Sequence, residues 1–135
     1  MPFIYQRTIH FPDTDAAGVV FFATYLSICH EAYEEALAAA GIDIRRFFSD
    51  TEIVMPISRS EAQYLRPLHC GDKLSISVSP DALSETSYVV NFEMTKLGST
   101  PKLVAKVRTE HVCIASSSWE RQPLPAALVE WIKRA

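Results

Sequence analysis

The sequence predicts an α+β fold in which one curved antiparallel sheet of about five strands wraps around a long central helix. A helical pattern covers residues 22–40, and its apolar side chains occupy about half of the helix circumference, more than a surface helix usually shows. Several later segments alternate apolar and polar residues, which is typical of strands with one buried face. A sheet wrapped around the helix buries both patterns. At 135 residues and 48% hydrophobic, the chain is expected to form one domain over residues 1–135.

The N-terminal part contains the first strand, a loop and the helix. The strand is predicted over residues 3–11 and ends at Pro12, and residues 13–18 form the loop. The helix over residues 22–40 stops at Gly41, because glycine adopts the left-handed conformation that commonly ends a helix. The apolar side chains expected on one face of the first strand are Phe3, Tyr5, Ile9 and Phe11.

Strand patterns dominate the rest of the chain. An extended segment over residues 53–65 is restricted to an edge or bulged position because it contains Pro56. Further strands are predicted at residues 74–79, 88–95 and 103–115, followed by a short helix at residues 126–133. Since such a sheet has exposed edges, association into at least a dimer is expected.

Composition and charge exclude several classes of function. The formal net charge is −3 and the 13 basic residues are scattered, so nucleic-acid binding is not expected. No apolar run approaches the roughly 20 residues that cross a bilayer, and the N-terminus lacks the layout of a signal peptide, so we expect a cytoplasmic protein that binds no membrane. Cys29, Cys70 and Cys113 fit reduced thiols, and no spacing indicates a metal ion.

The loop before the helix carries the most informative pattern, which reads Asp-Thr-Asp-Ala-Ala-Gly-Val-Val-Phe-Phe from Asp13. Two carboxylates precede a helix start, where backbone N–H groups lack intrahelical partners and carry partial positive charge. A carboxylate there can attack a carbonyl group or activate water while an N–H polarises the carbonyl. The alternative is a turn in which Asp13 or Asp15 caps the helix.

These residues resemble a known family. Residues 13–22, the helix after them, and Pro-Leu-His-Cys-Gly-Asp-Lys-Leu at residues 67–74 are similar to the hot-dog-fold acyl-CoA thioesterases of the 4-hydroxybenzoyl-CoA thioesterase family. The resemblance covers nearly the whole chain. More narrowly, residues 29–34, 111–115 and 123–125 look like the 1,4-dihydroxy-2-naphthoyl-CoA thioesterases of phylloquinone synthesis. The resemblance implies hydrolysis of an aromatic hydroxyacyl-CoA without a cofactor, by a homodimer or by a tetramer built as a dimer of dimers.

The resemblance also assigns roles to single residues. The family's catalytic carboxylate corresponds to Asp15, acting as nucleophile or as general base. The family's oxyanion contact corresponds to the backbone N–H of Phe22, where relatives often carry Tyr or His. Because the Phe side chain has no donor, only the backbone can contribute at this position. Asp13 is expected to shape the loop.

Further side chains are candidates for the acyl pocket. His30 is expected to hydrogen-bond a hydroxyl of the acyl group, or to be a boundary histidine satisfied by a carbonyl or water. Tyr25 and Thr24 are expected to line the pocket, with core packing and helix capping as their respective alternatives. His111 shares a strand face with apolar residues, so a structural role is expected.

The phosphates of coenzyme A require basic residues near the pocket mouth. Some relatives carry a basic cluster where this chain reads Ser-Glu-Thr-Ser at residues 84–87, so this contact must come from elsewhere. The unranked alternatives are Arg59, Arg66, Lys73 and Lys106. Two other functions remain open: a 4-hydroxybenzoyl-CoA-like or short-chain acyl-CoA thioesterase, and a hot-dog subunit that binds acyl thioesters without hydrolysing them.

Overall fold

The computed structural model describes residues 2–135 and contains a five-stranded antiparallel sheet in the order β1-β4-β5-β6-β3. The strands are β1 (Phe3–Thr8), β2 (Ile53–Val54), β3 (Ile57–Tyr64), β4 (Lys73–Ser84), β5 (Ser87–Lys96), β6 (Lys102–Val112) and β7 (Ile114–Ala115). The helices are α1 (Phe22–Ala39), α2 (Ile44–Phe47) and α3 (Ala126–Arg134). Strands β2 and β7 form a separate two-stranded sheet. This arrangement confirms the predicted α+β fold.

Helix α1 packs against the inner face of the sheet. Its buried side chains are Tyr25, Ile28, Cys29, Ala32, Tyr33, Ala36 and Leu37. They share one core with alternate residues of the central strands, among them Ile76, Val78, Val90, Phe92, Met94 and Val107. Because burying a large apolar side chain contributes about 1.5–3 kcal/mol, this contact stabilises the fold strongly. The wide apolar arc of the helix is therefore explained by the sheet around it.

The helix ends where the sequence predicted. Gly41 has a φ of +87°, a conformation that glycine adopts without steric cost. The next short helix, α2, is capped by Asp43, whose carboxylate accepts hydrogen bonds from the N–H groups of Arg45 (3.1 Å) and Arg46 (3.3 Å). At the other end of the chain, α3 buries Leu128 and Trp131 against the core.

Strand β1 is shorter than predicted. It ends at Thr8, and Phe11 lies outside it with 78% of its surface exposed, so the prediction that Phe11 shares one strand face with Phe3, Tyr5 and Ile9 is wrong. The reason is a turn in which the Asp13 N–H donates to the His10 carbonyl (3.0 Å) while the His10 N–H donates to the Asp13 carboxylate (2.8 Å). Pro12 lies inside this turn and favours it over a strand.

Two predicted strands are each divided in two. Residues 53–65 split at Pro56 into β2 and β3, and residues 103–115 split at Cys113 into β6 and β7. Because proline has no N–H, it interrupts the ladder, although the Pro56 carbonyl still accepts from the Val112 N–H (3.1 Å). The β2–β7 pair thus leaves the main sheet, while β3 forms its edge, as the proline predicted.

The edge strand β3 is exposed along most of its length, and only Ala62 is partly buried. Its free edge presents backbone groups that are not paired within the protomer. Among residues 2–135, no helix combines the length and apolar character that crossing a bilayer requires.

Candidate active site

The loop that carries Asp15 is a tight turn fixed by its own hydrogen bonds. The Asp15 N–H donates to the Val19 carbonyl (2.9 Å), and the Gly18 N–H donates to the Asp15 carbonyl (3.0 Å). Gly18 has a φ of +80°, which explains a glycine at this position. The Asp15 carboxylate oxygen Oδ1 accepts from the Ala17 N–H at 2.8 Å. The other oxygen, Oδ2, makes no hydrogen bond within residues 2–135, and the side chain is exposed.

Helix α1 starts directly after this loop without a side-chain cap. The residue before the helix is Phe21, and neither Asp13 nor Asp15 caps it, so the capping alternative is wrong. The Phe21 N–H donates to the Asp13 carbonyl (3.1 Å), and the Thr24 N–H donates to the Phe21 carbonyl (2.9 Å). The Phe22 N–H donates to no acceptor within residues 2–135. The helix start therefore offers a free N–H beside the Asp15 loop.

Asp13 ties the loop to the rest of the protein, as the sequence predicted. Its Oδ2 lies 3.2 Å from Nη1 of Arg7, and Nε of Arg7 lies 3.1 Å from Oε2 of Glu31 on α1. The Tyr5 hydroxyl donates to the same Glu31 oxygen at 2.5 Å, and burial together with Glu31 raises the pKa of Tyr5 to about 12. Arg7 thus joins β1, the loop and the helix.

Sequence reasoning missed Arg7. The signal was present, because Arg7 falls between Tyr5 and Ile9 on the face of the first strand that otherwise carries apolar residues. A charged residue on such a face is expected to have a partner. Its two carboxylate partners lie 6 and 24 positions further along the chain, and only the folded structure shows them together.

A groove of about 400 Å³ lies beside the start of α1. Its lining residues are Val20, Phe22, Tyr25, Tyr64, Leu65, Arg66 and Pro67. The Tyr64 hydroxyl donates to the Phe22 carbonyl at 3.0 Å, and its ring meets that of Tyr25 edge-on at 4.9 Å between centroids. These contacts fix the end of β3 to the first helical turn. Tyr25 and Phe22 therefore lie in one groove, which we call the outer groove.

A second, smaller cavity of about 110 Å³ lies between α1 and the sheet, and we call it the inner cavity. It is lined by Leu26, His30, Tyr33, Ile57, Ser60, Phe92, Thr109 and His111. Leu26 and His30 follow Phe22 at intervals of four residues, so the three lie along one side of the helix with a rise of about 6 Å per step. Asp15 and Thr24 line neither the outer groove nor the inner cavity.

His30 lines the inner cavity, and one of its two ring nitrogens is hydrogen-bonded. Its Nδ1 lies 2.6 Å from Oε2 of Glu34, one helical turn further on. The partner is thus a carboxylate, where the sequence suggested a carbonyl or water. Because a carboxylate accepts, it favours the proton on Nδ1 and leaves Nε2 as the free nitrogen. The rings of Tyr33 (5.4 Å) and Phe48 (5.6 Å) hold the imidazole in place.

His111 is buried at the far wall of the same cavity, with 2% of its surface exposed. Its Nε2 lies 2.8 Å from the Thr109 hydroxyl, and its ring stacks on Tyr88 at 4.7 Å between centroids. Burial lowers the pKa of His111 to about 4, and the nearby His30 adds to this effect. A neutral, hydrogen-bonded imidazole fits the predicted structural role, but His111 also borders the cavity.

The predicted phosphate-binding candidates lie in different places. Arg66 lines the outer groove. Arg59 lies 3.6 Å from Glu61, and Lys73 donates to the Thr8 hydroxyl at 2.8 Å. Lys106 lines a different groove together with Arg108. Of the four candidates, Arg66 is therefore the one that lines the outer groove beside the helix start. Within residues 2–135, no group of three or more His, Cys, Asp or Glu side chains is arranged to hold a metal ion.

The assignment to a protein family rests on nearly the whole chain. A family model described as the thioesterase-like superfamily matches residues 9–132. The chain therefore belongs to the thioesterase-like superfamily, and its architecture is the hot-dog fold that the sequence predicted.

Individual relatives narrow the resemblance further. The chain is 47% identical over 128 residues to a 1,4-dihydroxy-2-naphthoyl-CoA hydrolase of Microcystis aeruginosa, covering 95% of this chain and 91% of the relative. It is 45% identical over 131 residues to the enzyme of that name in Acaryochloris marina, covering 97% and 96%. A crystal structure of a 1,4-dihydroxy-2-naphthoyl-CoA thioesterase from Synechocystis matches with a TM-score of 0.93 at 32% identity, covering 98% and 96%.

The Arg7 contacts predict a loss of stability when the guanidinium is removed. Arg7→Met leaves Asp13 and Glu31 without their charged partner, and we expect the free energy of unfolding to fall by about 1–3 kcal/mol. Arg59→Met is the matched control, because the side chain of Arg59 is 66% exposed and its pair with Glu61 is a surface pair worth under about 1 kcal/mol. Urea denaturation at neutral pH measures both, and equal losses would contradict the assignment.

The environment of His111 predicts a pH dependence of stability. The unfolded chain takes up a proton on this imidazole near pH 6.5, whereas the native state does so only near pH 4. The contribution of His111 to the free energy of unfolding is therefore fully present above pH 6.5. It is lost as the pH drops toward 4, and the total loss is about 3 kcal/mol. His111→Gln removes this part of the acid sensitivity, and His69→Gln, at an exposed position, is the control. Urea denaturation between pH 7 and 4.5 tests this, and parallel curves for wild type and His111→Gln would refute it.

Proposed function

We propose that the protein hydrolyses 1,4-dihydroxy-2-naphthoyl-CoA to 1,4-dihydroxy-2-naphthoate and coenzyme A. The observation that carries the proposal is the Asp15 loop beside the free N–H of Phe22 at the helix start. The substrate is inferred from relatives that are 45% and 47% identical over nearly the whole chain and are named as hydrolases of this thioester. A carboxyl group at this position favours an enzyme over a subunit that only binds thioesters.

The helix start supplies the oxyanion contact. When the thioester carbon is attacked, negative charge develops on the carbonyl oxygen, and a donor already in place stabilises it. The N–H of Phe22 is such a donor, because it has no acceptor among the described residues and lies at the positive end of an 18-residue helix. One such donor is worth about 3 kcal/mol, or about a hundredfold in rate.

Asp15 supplies the second part of the chemistry, by one of two routes. As a nucleophile, its carboxylate attacks the thioester carbon, coenzyme A leaves as the thiolate, and water then cleaves the mixed anhydride. As a general base, it removes a proton from water, which attacks the carbon directly. The Ala17 N–H on Oδ1 orients the carboxylate, and Oδ2 is free for either role.

The outer groove and the inner cavity together offer a site for the aromatic acyl group. Helical side chains lean toward the helix N-terminus, so His30 reaches from the inner cavity toward Phe22. Nε2 of His30 would accept a hydrogen bond from a ring hydroxyl, and Tyr25 would form an apolar wall. The predicted contact of Thr24 requires the pocket to extend across a subunit interface, because Thr24 lines neither space.

For the phosphates of coenzyme A, we assign Arg66. It lines the outer groove together with Phe22, and the arginine ion pairs within residues 2–135 are made by Arg7, Arg59, Arg108 and Arg134 and not by Arg66. A guanidinium at a pocket mouth can bind phosphate through two parallel hydrogen bonds.

The exposed edge strand supports a homodimer formed through β3. Ile57, Tyr64 and Leu65 are large apolar residues at or next to this edge, and each is about half exposed in the protomer. Pairing of two β3 strands would cover them and extend the sheet. Because β3 residues also line both spaces, the site would lie at the interface. A tetramer built as a dimer of dimers, and a cytoplasmic location, stay predictions.

Removing the charge of Asp15 tests the reaction. Asp15→Asn keeps an oxygen for the Ala17 N–H, so the fold should persist while hydrolysis falls by about a thousandfold or more. The matched control is Asp81→Asn, since the exposed Asp81 carboxylate likewise accepts a backbone N–H, that of Ala82 at 2.9 Å. Thiol release is measured across aryl and alkyl acyl-CoAs. Near-wild-type turnover by Asp15→Asn contradicts the role of Asp15, and no release by the wild type favours a binding subunit.

A charge on the edge strand tests the dimer. Ile57→Lys places an ammonium group in the proposed interface, so the variant should be monomeric where the wild type is at least dimeric. Leu83→Lys is the matched control, because Leu83 is 46% exposed against 45% for Ile57 but lies on β4, away from this edge. Light scattering coupled to size-exclusion chromatography measures the mass. A monomeric wild type, or an equally oligomeric Ile57→Lys, counts against the proposal.

A further inference from the structure

We infer that His111 is a specificity-determining residue, whose Nδ1 hydrogen-bonds a ring hydroxyl of the aromatic acyl group in the inner cavity. The inference rests on the proposed function, because it names the part of an aromatic thioester that this cavity recognises. It gives His111 a role beyond the structural one that its strand position predicted.

The first observation is that Nδ1 of His111 is available. The Thr109 hydroxyl engages Nε2 at 2.8 Å, and no hydrogen bond to Nδ1 is present within residues 2–135. In the same residues, every fully buried side-chain nitrogen or oxygen has a partner. Nδ1 is therefore not sealed in the core. Since His111 is buried and lines the inner cavity, the cavity is where this nitrogen can meet a ligand.

The second observation is that the imidazole is held rigidly. Its ring is parallel to that of Tyr88, with an interplanar angle of 6°, and the ring of Tyr33 lies 5.1 Å away on the helix side. The hydroxyls of Tyr33 and Tyr88 are hydrogen-bonded to each other. These two tyrosine hydroxyls thus satisfy one another, while the bond to Thr109 orients the histidine. A fixed polar group discriminates between ligands better than a mobile one, because it pays no ordering entropy on binding.

The third observation concerns the size and chemistry of the inner cavity. A cavity of about 150 Å³ lined by apolar side chains binds benzene, so about 110 Å³ accommodates part of one aromatic ring. Leu26, Ile57 and Phe92 supply apolar walls for that ring. His30 and His111 both line this space, and each has one ring nitrogen without a hydrogen-bond partner within residues 2–135.

A hydroxyl is the substituent that suits this position. The neutral imidazole presents Nδ1 either as a donor or as an acceptor, depending on the bond that Thr109 makes, and a hydroxyl can pair with both. A carboxylate can pair only with the donor form. Because burial holds the pKa of His111 well below neutral, the imidazole carries no charge that would attract an anion.

The test compares substrates that differ only in their hydroxyls: 1,4-dihydroxy-, 1-hydroxy-, 4-hydroxy- and unsubstituted 2-naphthoyl-CoA. His111→Phe keeps an aromatic ring beside Tyr88 but removes both nitrogens. We expect it to lower kcat/KM about tenfold for substrates with the recognised hydroxyl, and less than twofold for the unsubstituted one. Compared with His111→Phe, the variant His111→Gln should regain part of the preference for hydroxylated over unsubstituted substrates. Equal losses on all four substrates, or no loss on any, would overturn the inference.

Binding measurements keep the inference separable from the proposed function. Calorimetry compares 1-hydroxy-, 4-hydroxy- and unsubstituted 2-naphthoate, with wild type, His111→Phe and His30→Ala. We expect the wild type to prefer a hydroxylated acid about tenfold, and His111→Phe to lose that preference. If the wild type hydrolyses only alkyl thioesters, the proposed function is wrong. The role of His111 is then decided by the binding preference for hydroxylated acids alone. Equal affinity of the wild type for all three acids, or a preference removed only by His30→Ala, overturns it.

Discussion

The burial of α1 against the inner face of the sheet is the contact on which the rest of the structure depends. It removes seven side chains of the helix from water and fixes the direction of the helix relative to the sheet. Because the helix direction is fixed, its N-terminus meets the Asp15 loop at one end, while its side covers the inner cavity. The Asp15 loop, the helix start and the inner cavity are thus positioned by the packing of α1.

The start of the helix shows how tertiary contacts replace a local signal. A Ser, Thr, Asp or Asn at the cap position would add about 1 kcal/mol, but this chain has Phe21 there. The helix start is instead held by the Tyr64 hydroxyl on the Phe22 carbonyl and by the bond from the Phe21 N–H to the Asp13 carbonyl. Both bonds leave the Phe22 N–H free. A side-chain cap would compete with a substrate for the N–H groups of this first turn.

The sequence could predict those features that arise from local pattern. The helix, its stop at Gly41, the alternation of the strands and the loop-shaping role of Asp13 all depend on residues close together in the chain. Features that depend on distant partners were missed or incomplete. Arg7 contacts Asp13 and Glu31 only after folding, and β2 pairs with β7, about 60 residues away. For the same reason, the place of His111 in a cavity with His30 could not be read from its strand position.

The edge strand β3 connects the two proposals about assembly and substrate. Ile57 and Ser60 line the inner cavity, while Tyr64 lines the outer groove, so one strand forms a wall of both spaces. The same strand has a free edge and is exposed along nearly all of its length. A second subunit placed on this edge would therefore cover the groove and the mouth of the cavity together. Such covering would exclude water and would strengthen the proposed hydrogen bonds to the thioester oxygen and the ring hydroxyl, because both would act in a lower dielectric. The proposed dimer and the proposed site would thus be coupled through β3, because the strand with the free edge is also a wall of both spaces.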